Sequence, residues 1–157
     1  MEEVTLSHRE PQQIAVIRGN CQMSELGDRL GEILPAVYAA IMAQGITPAQ
    51  PPFMRYLDMD MERGTLDFEA GLGVATPFAD AAPVQSGMLP GGEVAVLWHV
   101  GPYHELGASH DRLSAWIEEH GRQSGDALWE VYWTDPGEEP DSAKWRTEII
   151  QTLQPLS

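Results

Sequence analysis

Apolar positions along the chain switch four times between two periods, one close to 2 and one close to 3.6, and the switches outline its elements. Ile14-Ala15-Val16-Ile17 is a short β-branched run closed by Gly19-Asn20, which predicts a strand and a turn. From Ser24 to about Gln44, Leu26, Leu30, Ile33, Leu34, Val37, Tyr38 and Ile41 recur three and four apart. Ser24 serves as N-cap, Gly45 as stop, and Pro35 is an internal kink point. Phe53 to Asp60 and Thr65 to Thr76 then read as two strands around Arg63-Gly64. In the second, Leu66, Phe68, Ala70 and Leu72 alternate with Asp67, Glu69, Gly71 and Gly73. Pro77 to Gly92, rich in proline and glycine, reads as a connector. The same order then restarts: strand Glu93–Val100, helix Glu105–His120 carrying Leu106, Leu113, Trp116 and Ile117, strand Leu128–Thr134, strand Lys144–Leu153.

The repetition extends to residue types. Ala15-Val16-Ile17 matches Ala95-Val96-Leu97, Gly45 matches Gly121, and Phe53-Met54-Arg55-Tyr56 matches Trp129-Glu130-Val131-Tyr132. The expected fold is therefore α+β: a tandem duplication of a strand-helix-strand-strand module, with antiparallel sheets, two helices and pseudo-two-fold symmetry. The single domain 1–157 divides into module one at about 10–76, connector 77–92 and module two at about 93–157. A ligand cleft between the modules is the natural consequence.

Composition narrows the function. Twenty-four acidic residues against nine Lys and Arg give a formal charge of -15, which opposes nucleic acid and anionic membrane surfaces as partners and favours cations. The lone Cys21 leaves no intrachain disulfide, and no apolar run is long enough to span a bilayer. Both fit a cytoplasmic protein. Cys21 lies among acidic residues with no cation beside it, which marks a structural thiol. Asp58, Asp60, Glu62 and Glu69 have part of a calcium-loop spacing, but Arg63 stands where glycine is required. His99, His104 and His110 lack ligand spacing and read as surface or capping residues. Neither metal nor cofactor is expected.

The most informative segment is Trp129-Glu130-Val131-Tyr132-Trp133. Alternation puts Glu130 and Tyr132 on one face and Trp129, Val131 and Trp133 on the other, the bulky three expected under a helix. Glu130 then either faces water or is a buried carboxylate that needs a partner, and the second case marks a functional group. Alternation also puts Trp98 with Val94, Val96 and Val100, as pocket wall or as core. Tyr103 follows Gly101-Pro102 at a strand-to-helix turn where its ring can cover a cleft edge. Tyr56 and Phe53 are the aromatic candidates of the first half, and Met54 stands where the second half has Glu130.

Gly101-Pro102-Tyr103, Leu106, Leu113 and Trp116, Glu130 through Pro136, Thr147-Glu148-Ile149 and Pro155-Leu156 together resemble the GyrI-like family. That family comprises effector-binding domains of AraC- and MerR-class drug-responsive regulators and their stand-alone relatives. The resemblance implies a cleft between modules, its glutamate at Glu130 and its aromatics at positions such as Tyr132. The chain departs from the regulators in having no helix-turn-helix ahead of a first strand near Gln12, which speaks against direct transcriptional control.

The expected function is that of a stand-alone binder holding a small lipophilic, aromatic, cationic ligand against Glu130, lined by Tyr132, Tyr103, Trp98, Tyr56, Phe53 and Met54. An alternative implied by the family is hydrolysis of cyclopropane-containing genotoxic natural products, with Glu130 as general base and Tyr132 orienting the electrophile. A second alternative is a gyrase-inhibitor-like protein partnership through the acidic surface.

Overall fold

A computed structural model describes residues 3–156 and shows an α+β fold of antiparallel strands and two helices. The chain forms two compact units. One is continuous, Pro11–Leu89; the other joins the residues up to Glu10 to those from Pro90 onward.

The continuous unit contains β2 (Gln12–Gln22), α1 (Leu26–Ala43), β3 (Phe53–Asp60), β4 (Thr65–Gly73) and β5 (Gln85–Leu89), with strand order β3-β4-β2-β5. Helix α1 buries Ile33, Val37 and Ile41, three residues at i, i+4 and i+8. It ends at Gly45, whose φ of 70° is the left-handed conformation that closes a helix without a Cβ penalty. The carboxylates with part of a calcium-loop spacing belong to the β3–β4 hairpin. Asp60 Oδ1 accepts the backbone N–H groups of Glu62 at 3.1 Å and Arg63 at 3.2 Å, a side-chain-closed turn. Cys21 is buried, and burial pushes its thiol up; Arg29 pulls it down and Glu25 adds to the rise. The sequence expectation of no cationic neighbour thus missed Arg29, one helical turn into α1.

The other unit contains β1 (Val4–Arg9), β6 (Gly92–Val100), α2 (Leu106–Glu119), β7 (Ser124–Tyr132) and β8 (Arg146–Leu153), in the order β1-β6-β8-β7. Its core is Leu113 and Ile117 of α2 on Ala95 and Leu97 of β6 and Ile149 and Leu153 of β8, joined at the edge by Val4, Leu106, Trp116 and Leu128. Each fully buried aliphatic side chain there contributes about 1.5–3 kcal/mol.

Three expectations need correction. Residues 85–89, assigned to the connector, form β5, which pairs with β2. Four of its five residues are exposed, so the apolar alternation that announces a strand is missing. The first strand is not near Gln12, since β1 precedes it and pairs with β6; its mixed burial hides it in the same way. The helix-facing side of β7 is also reversed. Leu128 joins the core under α2, which puts Glu130 and Tyr132 on the helix side by parity and Trp129, Val131 and Trp133 on the far side. Trp129 and Val131 are buried there, and Trp133 is half exposed.

Among the described residues, no helix is long and apolar enough to cross a membrane.

Candidate functional site

Glu130 sits in mid-strand opposite Ile149 of β8 and is 2% exposed. A carboxylate at that depth needs hydrogen-bond donors, because burial without them costs several kcal/mol. Two are present. The Tyr132 hydroxyl, two residues along the same face, donates to Glu130 Oε1 at 2.8 Å. His110 Nε2, from α2, lies 2.6 Å from Oε2.

His110 was expected on the surface and instead faces the sheet. The signal was in the helix stripe. Leu106, Leu113, Trp116 and Ile117 leave a gap one turn wide, and Ser109 and His110 fill it at i+3 and i+4 from Leu106. A serine and a histidine on a core-facing stripe are polar groups in search of partners. Ser109 is fully buried, and its hydroxyl lies 2.7 Å from His99 Nδ1 while accepting from Arg112 Nη2 at 2.8 Å. His99 is buried as well, contrary to its sequence reading. Its Nε2 donates to the Pro102 carbonyl at 3.0 Å.

That chain of bonds fixes the Gly101-Pro102-Tyr103 turn. Gly101 has φ 137°, a value side chains rarely adopt, and its N–H bonds the Trp145 carbonyl at 2.8 Å. The Tyr103 ring consequently stands edge-on to Tyr132 at 5.6 Å and against Trp145 at 4.9 Å. Burial pushes the Tyr103 phenol up, and the negative charges of Asp135 and Glu130 push it further. Glu130, His110, Tyr132, Tyr103 and Trp145 thus form one contiguous polar and aromatic group.

Trp98 shares the opposite sheet face with Trp133, ring centres 5.8 Å apart, under the Arg146 guanidinium at 4.6 Å. On that face Glu148, a second buried carboxylate, accepts from Arg9 Nη2 at 2.8 Å and Trp133 Nε1 at 3.2 Å. Phe53 and Met54 are buried residues of β3 in the continuous unit, and Tyr56, on the same strand, is partly buried.

Comparison with known proteins bears on the arrangement. No curated protein sequence matches. The EcmrR C-terminal domain is similar in fold at 20% identity with a TM-score of 0.87, over 99% of each chain. The EcmrR chain in its DNA complex is similar at 21% identity and a TM-score of 0.85, over 99% of this chain, which spans 58% of that longer one. SAV2435 bound to tetraphenylphosphonium is similar at 12% identity and a TM-score of 0.69, over 97% of this chain and 94% of that one. A hydrolase from Listeria innocua is similar at 14% identity and a TM-score of 0.65, over 97% and 92%. The family model of the GyrI-like small molecule binding domain matches residues 2–153, and the chain belongs to that family.

Proposed function

We propose that this domain binds a lipophilic aromatic cation, with Glu130 as its counter-charge and Tyr132 and Tyr103 as ring partners. The observation that carries the reading is a carboxylate 2% exposed in mid-strand, held by a phenol and an imidazole beside an aromatic ladder. A buried negative charge favours a cation that has itself little hydration to lose. Each aromatic face adds about 0.5–2 kcal/mol of cation–π attraction. Family membership and the drug-bound SAV2435 relative support a small ligand.

The test is intrinsic tryptophan fluorescence during titration with tetraphenylphosphonium and with neutral triphenylphosphine oxide, on wild type and Glu130→Gln. The expected result is saturable cation binding, weakened about fivefold or more in the variant, about 1 kcal/mol. Equal cation binding by the two proteins removes Glu130 as counter-charge.

A second reading, hydrolysis, is favoured by the His110–Glu130 contact, since a carboxylate joined to an imidazole is equipped to take a proton from water. A cyclopropane-bearing electrophile is the corresponding probe, and turnover that Glu130→Gln abolishes supports it. A gyrase-inhibitor-like protein partnership predicts instead that substitutions at Glu130 leave partner binding intact.

A further inference from the structure

We propose a second binding site, for a small aromatic carboxylate, at Arg146, Trp98 and Trp133 on the sheet face opposite Glu130. It stands apart from the cation reading, because it uses another face of the sheet and a ligand of opposite charge.

Strand register arranges the site in two rows. Val100 of β6 lies opposite Arg146 of β8, and the Trp133 N–H, just beyond β7, bonds the Arg146 carbonyl at 3.1 Å. Two residues along, Trp98 of β6 and Val131 of β7 lie opposite Glu148 of β8 from either side. The rows differ in depth. Val100 and Trp133 are half exposed and Arg146 is exposed, whereas Glu148 and Val131 are buried and Trp98 is partly so. An accessible outer row that is apolar, cationic and aromatic therefore stands beside a packed inner one.

The inner row holds the outer one in place. Trp133 Nε1 donates to Glu148 Oε1 at 3.2 Å, which orients that indole, and Glu148 Oε2 pairs with Arg9 at 2.8 Å. The Arg146 guanidinium rests on the Trp98 ring, 4.6 Å from its centre, and its backbone N–H bonds Thr134 Oγ1 at 3.0 Å. Stacking uses one face of the planar guanidinium and leaves its edge of N–H donors for a planar acceptor. Both the cation and the ring beside it are thus set before any ligand arrives, which lowers the entropy lost on binding.

The pairing of charges in the chain points to the ligand class. Acidic residues number 24 against nine Lys and Arg, and Arg9, Arg18, Arg55, Arg63 and Arg122 each meet a carboxylate. Arg146 meets an indole instead, and among the described residues no carboxylate partners it. A guanidinium edge accommodates a carboxylate through two parallel N–H···O bonds, and the half-exposed Trp133 ring offers apolar surface to a second ring. A flat aromatic acid supplies both groups in one small molecule. The Arg146 charge repels a cation, so the two faces of the sheet select ligands of opposite sign.

The experiment is titration calorimetry of the intact protein with 2-naphthoate and with its uncharged counterpart 2-naphthylmethanol, on wild type, Arg146→Gln and Arg146→Lys, with circular dichroism confirming the fold of the variants. Nuclear magnetic resonance of the indole N–H groups follows the same titrations. The expected result is saturable binding of naphthoate, weakened about tenfold or more in Arg146→Gln. Arg146→Lys, which keeps the charge without the planar fork, falls between the two. The alcohol binds wild type about tenfold or more weakly than the acid, and naphthoate shifts the Trp98 and Trp133 indole signals. Absence of saturable naphthoate binding overturns the proposal. So does equal binding of acid and alcohol, equal binding of the acid by wild type and Arg146→Gln, or a shift confined to the other tryptophans. The comparison of acid with alcohol and the indole shifts are read on wild type, so the test holds even if both variants fail to fold.

Discussion

Glu130 and Glu148 are one residue apart in strand register and lie on opposite faces of the same sheet. Both are buried, and what distinguishes them is the donor set. Glu148 is neutralised by the Arg9 guanidinium, a permanent cation, with the Trp133 indole as second donor. Glu130 is met by a phenol and an imidazole. The first carboxylate is a structural ion pair. At the same scale Tyr103 makes a prediction. Its raised phenol binds its proton more tightly folded than unfolded, so the stability it contributes is complete below pH 10 and falls as pH rises beyond it. The ultraviolet phenolate signal lost in Tyr103→Phe is expected to titrate above about pH 10; loss of a component at or below that value contradicts the burial.

At the scale of elements, two glycines make contrasting predictions. A Cβ on Gly71 in β4 would lie 1.8 Å from the Ala15 carbonyl oxygen of β2, a backbone atom that cannot step aside. Gly71→Ala is expected to destabilise by at least about 2 kcal/mol in urea unfolding. A Cβ on Gly31 in α1 meets nothing within 4 Å, so Gly31→Ala is expected to stabilise by about 0.5–1 kcal/mol. Equal midpoints for the two variants would contradict the close approach of β2 and β4.

The sequence was most legible where a burial face runs the length of an element. Phe53–Asp60 was read with its observed limits, both helices were found, and the positive φ of Gly45 and of Gly121 explains why both glycines marked helix ends. It was least legible at β1 and β5, where exposure erases the pattern. Parity correctly paired Glu130 with Tyr132 but assigned the bulky Trp129, Val131 and Trp133 to the helix. Alternation determines which residues share a face, and it says nothing about which face a helix covers. His110 was missed because its partner lies twenty residues away on another element.

At the scale of the whole molecule, a charge of -15 on 157 residues places like charges within a Debye length of one another at low salt. Raising NaCl from about 10 to 200 mM is expected to raise the thermal midpoint by shortening the screening length from about 30 Å to under 10 Å; a midpoint that falls would show that ion pairs such as Arg18–Asp67 outweigh the general repulsion.

The placement of β1 has a consequence for synthesis. The strand completes a unit whose other members begin only at Pro90, so its partner β6 is translated roughly eighty residues later. At ordinary elongation rates of about 5–20 residues per second, the first strand waits on the order of ten seconds with its backbone edge open. The continuous unit Pro11–Leu89 emerges whole in that interval. On the ribosome the middle of the chain is ready to fold first, and the two ends meet last.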